Sequence, residues 1–117
     1  FDACARPQAA MELLVELGVE RILTSGFAPT VSDGLPAMKH LCEHAAGRIQ
    51  IQAGSGVSAA AVDDLWSAGV RSYHCTARMK MQAREESVEA KFGFGDYWSL
   101  DRQKVEQLGD ALWRKLA

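Results

Sequence analysis

Residues 47–56 read Gly47-Arg48-Ile49-Gln50-Ile51-Gln52-Ala53-Gly54-Ser55-Gly56, and this stretch decides the fold. Ile49, Ile51 and Ala53 alternate with Gln50 and Gln52, so an extended chain here has one apolar and one polar face. Gly47 stands where a preceding helix needs a residue that accepts positive φ. The pattern recurs on both sides. Gly18 precedes Arg21-Ile22-Leu23-Thr24-Ser25-Gly26, and Gly69 precedes Arg71-Ser72-Tyr73-His74-Cys75-Thr76-Ala77-Arg78. Alternating helices and strands imply an α/β fold with a parallel sheet, whose ligands gather at the strand C-terminal ends. A sheet covered by helices on both sides would be apolar on both faces. The polar face of residues 49–53 suits a closed barrel with a solvated centre.

The helices follow from apolar spacing. Ala10, Met11, Leu13, Leu14 and Leu17 follow Pro7, which suits a first helical turn. Leu35, Met38, Leu41, Cys42 and Ala45 follow Ser32 or Asp33 as cap, with Pro36 in the first turn. Ala61, Val62, Leu65 and Trp66 follow Ser58 as cap. Strands are expected at 19–25, 48–53 and 70–76, with the tail of another strand and its loop at 1–6. Residues 79–97 read as a long, charged, irregular segment. Glu85-Glu86-Ser87 is its solvated part, and Phe92, Phe94, Tyr97 and Trp98 anchor it to the body. Ser99 or Asp101 opens a last helix with Val105, Leu108, Leu112 and Leu116 on one stripe. Gly109 weakens that helix by about 1 kcal/mol relative to alanine.

The 117 residues fit one domain. With 48% hydrophobic and 24% charged residues, the composition is that of a soluble globular protein. A net charge of −2 leaves no basic surplus to grip a phosphate backbone, which argues against nucleic acid. No apolar run is long enough for a membrane span, and the start shows no signal peptide. Cys4, Cys42 and Cys75 are an odd count at wide spacing, which fits reduced thiols in a cytoplasm. There is no C-x-x-C pair and no H-E-x-x-H. A chain opening on Phe1 is expected to begin partway through a longer gene product.

The register expected from polarity places Thr24, Gln52 and His74 on the inner face, and Leu23, Ile51 and Tyr73 toward the helices; a slip of one residue reverses this. The turn Ala53-Gly54-Ser55-Gly56 before the Ser58 helix start is the sharpest chemical signal. Glycines let a backbone approach a ligand, and helix N–H groups attract anions. With Thr76, Ala77 and Arg78 after the next strand, it would make an anion cradle for a small anionic ligand. The plain alternative is a tight turn. His74 is a general acid or base, a soft-metal ligand, or a hydrogen-bonded strand residue. Cys75 points to the opposite face as a core residue. His40 and His44 have metal-compatible spacing but no third ligand, and read as an exposed helical face. Asp2 either orients a substrate at a strand end or caps the following turn.

The order Phe1-Asp2, Gly18-Val19-Glu20-Arg21-Ile22-Leu23-Thr24-Ser25-Gly26, Gly34-Leu35-Pro36, Gly47-Arg48-Ile49, Ala53-Gly54-Ser55-Gly56-Val57 and His74-Cys75-Thr76-Ala77-Arg78 resembles the CutC copper homeostasis family. The "ILTSG" and "HCTAR" blocks at their mutual spacing carry most of the specificity. The resemblance implies a cytoplasmic (β/α)8 TIM barrel of which residues 1–117 are the C-terminal half, about the last three βα units. Phe1-Asp2 would be the remnant of a His-Arg-Ala-Phe-Asp segment closing the fifth strand. It implies Cu(I) binding or trafficking by the full-length protein, with copper ion as the ligand and the main cysteine ligands on earlier strands. Asp2, Thr24, Ser25, Gly54, Gly56, His74 and Arg78 carry over as cavity-mouth positions. Two other readings stand beside it. One is a barrel enzyme for a phosphorylated or other anionic small molecule. The other is a structural half barrel that pairs with a second copy through its open edges.

Overall fold

The computed structural model describes residues 1–82, 91 and 96–117. The chain divides into two compact units, Phe1–Cys75 and Thr76–Ala117. The expectations for Glu85-Glu86-Ser87, Phe92 and Phe94 lie outside the described residues.

The first unit alternates helices and strands, in the order α1 (Pro7–Glu16), β1 (Arg21–Thr24), α2 (Leu35–Ala45), β2 (Gln50–Ala53), a 3₁₀ turn (Ala59–Ala61), α3 (Val62–Ser67) and β3 (Ser72–Tyr73). The strands form one parallel sheet in the order β1-β2-β3. Residues 1–6 form a turn and no strand, closed by the Cys4 N–H donating to the Phe1 carbonyl at 2.9 Å.

Helix endings explain the glycine repeat. After α1, the Gly18 N–H donates to the Val15 carbonyl and the Val19 N–H to the Leu14 carbonyl. After α3, the Gly69 N–H donates to Trp66 and the Val70 N–H to Leu65. Both are the same paired closure, with the glycine at φ +74° or +100°. After α2, Gly47 takes positive φ at 76° as expected, and Ala46 before it is left-handed as well, at φ 48°. Pro7 and Pro36 sit in the first turns. Neither Ser32 nor Asp33 caps α2, because Gly34 occupies that position; Asp33 instead accepts the Thr30 hydroxyl at 2.7 Å. Ser58 holds the position before the 3₁₀ turn but makes no side-chain capping bond.

The core lies on one face of the sheet. Met11, Met38, Leu41, Leu65 and Val70 from the helices and their junctions meet Ile22, Ile51 and Ala53 from the strands. Met11 and Met38 are fully buried; cutting either to alanine should cost about 2–5 kcal/mol.

The register corrects one sequence expectation. Ile22 pairs with Ile51 and Thr24 with Ala53, whereas Leu23 pairs with Gln52 and Gln52 with Ser72. Ile51 and Tyr73 therefore lie on the helix side, as expected. Thr24, only 2% exposed, joins them there, and Leu23, 51% exposed, takes the open face beside Gln52. Polarity misleads in β1 because the Thr24 hydroxyl is satisfied locally, as described below. On the open face, the Gln52 amide donates to the Ser72 hydroxyl at 3.0 Å.

The second unit holds two antiparallel strands, β4 (Arg78–Met81) and β5 (Tyr97–Leu100), and helix α4 (Arg102–Leu116). The ends of the segment expected to be irregular are therefore strands. The Lys80–Asp96 ion pair at 2.6 Å stands at this ladder. Within this unit Tyr97 and Trp98 lie on β5, paired with Met81 and Lys80. Asp101, not Ser99, caps α4, its carboxylate accepting the Lys104 N–H at 3.2 Å.

Candidate functional site

Three of the expected site residues meet at the C-terminal end of β1. The Asp2 carboxylate accepts the Thr24 hydroxyl on one oxygen. Its other oxygen accepts the Ser25 N–H at 2.8 Å and faces the Ser25 hydroxyl at 2.9 Å. That hydroxyl also lies 2.6 Å from the Ala28 carbonyl, so its single proton is shared between two acceptors. Thr24 Oγ1 in turn accepts the Gly26 N–H at 3.0 Å, so a buried hydroxyl is fully used. Partial burial pushes the Asp2 carboxyl up. The hydrogen bonds from Thr24, Ser25 and the Phe27 backbone outweigh it and hold the group below the usual carboxylate range. Asp2 is therefore an anionic acceptor and no proton donor at neutral pH.

The glycine turn forms a second cluster in the same unit. Gly54 leaves room for a neighbour: a Cβ there would lie 2.6 Å from Leu23 Cδ1. Ser55 and Gly56 are both left-handed, at φ 73° and 75°. The Ser55 hydroxyl donates to the Pro29 carbonyl at 2.6 Å, and its carbonyl accepts the Val31 N–H at 2.9 Å. Ser55 thus ties the turn to residues 26–34. The helix beyond is a 3₁₀ turn and six residues of α3, which gives little macrodipole to attract an anion.

Residues 26–34 link both clusters, through Ala28 to Ser25 and through Pro29 and Val31 to Ser55. Sequence reasoning missed this hub. The partners are backbone carbonyls and an N–H, which leave no residue-type signal. Gly26 and Gly34 were the available clue, since a Cβ on Gly34 would lie 1.9 Å from the Ser25 carbonyl oxygen.

His74 is exposed beyond β3, with its N–H donating to the Ala53 carbonyl at 2.8 Å. Cys75 is half-buried. Thr76, Ala77 and Arg78 open the second unit: Thr76 is exposed, Ala77 is left-handed at φ 43°, and Arg78 begins β4. The Arg78 guanidinium lies over the Trp98 ring, 4.2 Å from its centroid, which uses its face and leaves its N–H edge.

His40 is exposed and lies 3.5 Å from Glu43. His44 Nε2 approaches Glu12 at 2.9 Å as an ion-pair contact, without a well-angled hydrogen bond. Among the described residues, no group of three His, Cys, Asp or Glu side chains could hold a metal ion. Cu(I) prefers several soft donors. Cys4 is exposed, and burial pushes the Cys42 thiol above its ordinary range. The donor set described does not fit a copper centre. No helix among the described residues is long and apolar enough to cross a membrane.

The CutC family model matches residues 1–79. A CutC family protein of Glaesserella parasuis is 41% identical over 91 residues, covering 77% of this chain and 37% of that protein. A Vibrio vulnificus CutC family protein is 36% identical over 99 residues, 82% of this chain and 40% of its own. The human protein described as a copper homeostasis protein cutC homolog is 42% identical over 93 residues, 75% of this chain and 34% of its own. The matched region thus spans well under half the length of these curated relatives.

Proposed function

Since the chain belongs to the CutC family, we propose that it serves copper homeostasis as one wall of a cytoplasmic (β/α)8 barrel. The observation that carries this reading is the 42% identity to the human copper homeostasis protein homolog. The parallel sheet supports the barrel wall: its core face packs under helices, while Gln52 and Ser72 line the other. A parallel sheet normally has both faces covered. Three free cysteines fit a reducing compartment.

In this reading Asp2, Thr24, Ser25 and the Gly54–Gly56 turn shape the cavity mouth, and soft thiolates from other parts of a longer barrel hold Cu(I). Titration with Cu(I) against a chromogenic chelator, under reducing conditions, tests both statements. The chain alone should leave the chelator loaded, and the full-length Glaesserella parasuis relative should strip it. Tight binding by the chain alone would overturn the placement of the ligands. Failure of the full-length protein to compete would overturn Cu(I) binding itself.

A further inference from the structure

We propose that the groove between the start of α1 and helix α2 binds a small amphipathic carboxylate, an aryl or short alkyl acid. The groove has a volume of about 490 Å³, within the usual range for small-molecule sites. Its walls are mostly apolar, with Pro7, Phe27, Ala37 and Leu41 as the main surfaces. They suit a ring or a short chain.

The polar groups in the groove favour an anionic head. Arg6, His40 and His44 all line it, and no carboxylate does. Three carboxylates lie close by, and all are engaged. Asp2 is held by Thr24, Ser25 and the Phe27 backbone. Glu12 is held by Arg48 at 2.7 and 2.8 Å and approached by His44, and Glu43 lies against His40. Arg6 makes no ion pair among the described residues, so its charge is left for a ligand. His40 and His44 stand one turn apart on one wall, each with one ring nitrogen already turned to a carboxylate, so Arg6 carries the recognition of the anionic head. Two imidazoles without a third donor do not make a metal site. Phe27 stands between this groove and the Asp2–Ser25 cluster, its backbone bonding Asp2; binding in the groove does not depend on a role in copper homeostasis.

The chain has three histidines, and their imidazole proton resonances make a direct test with 4-phenylbutyrate as probe. The His40 and His44 signals should shift to saturation while His74 stays in place. The neutral amide of the same acid should bind roughly two- to fivefold more weakly, the scale of a solvent-exposed ion pair. Arg6→Gln, at an exposed position, should abolish that preference and leave amide binding intact. Ala37→Phe should fill the groove and remove both sets of shifts. Unmoved histidine signals up to about 10 mM probe, beyond the range of a useful small-molecule site, would overturn the proposal. So would equal shifts at His74, or an Arg6→Gln protein that still prefers the acid.

Discussion

Asp2 Oδ2 accepts the backbone N–H of Ser25 at 2.8 Å across 23 residues of chain, and so ties the N-terminal segment to the end of β1. Asp2→Ala would leave the Thr24 hydroxyl and the Ser25 N–H without this acceptor. A loss of about 1 kcal/mol is expected, the lower end for a charged acceptor because the carboxylate is largely open to solvent. The sign with pH follows from the depressed folded value. The contribution is complete above the ordinary value of 3.8 and fades as pH falls through the lower folded value. Urea unfolding of the two proteins should show a gap at neutral pH that narrows in strong acid. Equal stability at neutral pH would count against the tie.

Glu12 and Arg48 join α1 to the end of α2. Both guanidinium nitrogens reach the carboxylate, at 2.7 and 2.8 Å, and Arg48 Nη2 also donates to the His44 carbonyl at 2.8 Å. The Arg48 hydrogen bonds, chiefly, hold Glu12 down at about 2, against an ordinary value of 4.5. The stabilisation should be fully present above pH 4.5 and disappear as pH falls toward about 2. Thermal melts of Arg48→Met and the parent should differ at neutral pH and converge across that window. A gap that is constant with pH would show that Arg48 acts through packing of its stem instead.

Two glycines should respond to alanine in opposite directions. Gly34 faces the Ser25 carbonyl oxygen, 1.9 Å from where a Cβ would stand. Backbone cannot yield there without moving the hub, so Gly34→Ala should cost about 2–4 kcal/mol. Gly109 lies inside α4 with nothing within 4 Å of an added Cβ. Gly109→Ala should stabilise that helix by about 0.5–1 kcal/mol. Chemical denaturation followed by far-ultraviolet circular dichroism reads both. A neutral Gly34→Ala would mean that residues 26–34 can rearrange freely.

The helix–glycine–strand order was legible because each signal is local: an apolar stripe, then a residue suited to positive φ. The face of β1 was not. Thr24 is buried because its partners, Asp2 and Gly26, satisfy it, and Asp2 lies 22 residues away in sequence. Four residues of strand hold too little periodicity to correct for that. Strand β4 was readable in principle, since Met79 and Met81 alternate with Arg78 and Lys80, but its charge made it look like loop. Asp2 was singled out from an expected strand end, Thr24 from an expected inner face and Ser25 from the family resemblance, and their meeting is visible only in the structure. The loop joining them to Ser55 works through carbonyls that any sequence would supply.

Cys42 offers a last test of packing in the first unit. It faces Gly69, whose added Cβ would stand 3.0 Å from Cys42 Cβ. Burial, chiefly, pushes its thiol above the ordinary value, with Arg71 opposing part of that rise. Thiolate is the reactive form, so a maleimide at mildly alkaline pH should modify exposed Cys4 first and Cys42 last. Urea should raise the Cys42 rate by at least about tenfold, because burial both shields the thiol and keeps it protonated, and unfolding removes both effects. Mass mapping of the labelled peptides over time gives the order. Cys42 labelling as fast as Cys4 in the native protein would show that α2 opens readily from the sheet.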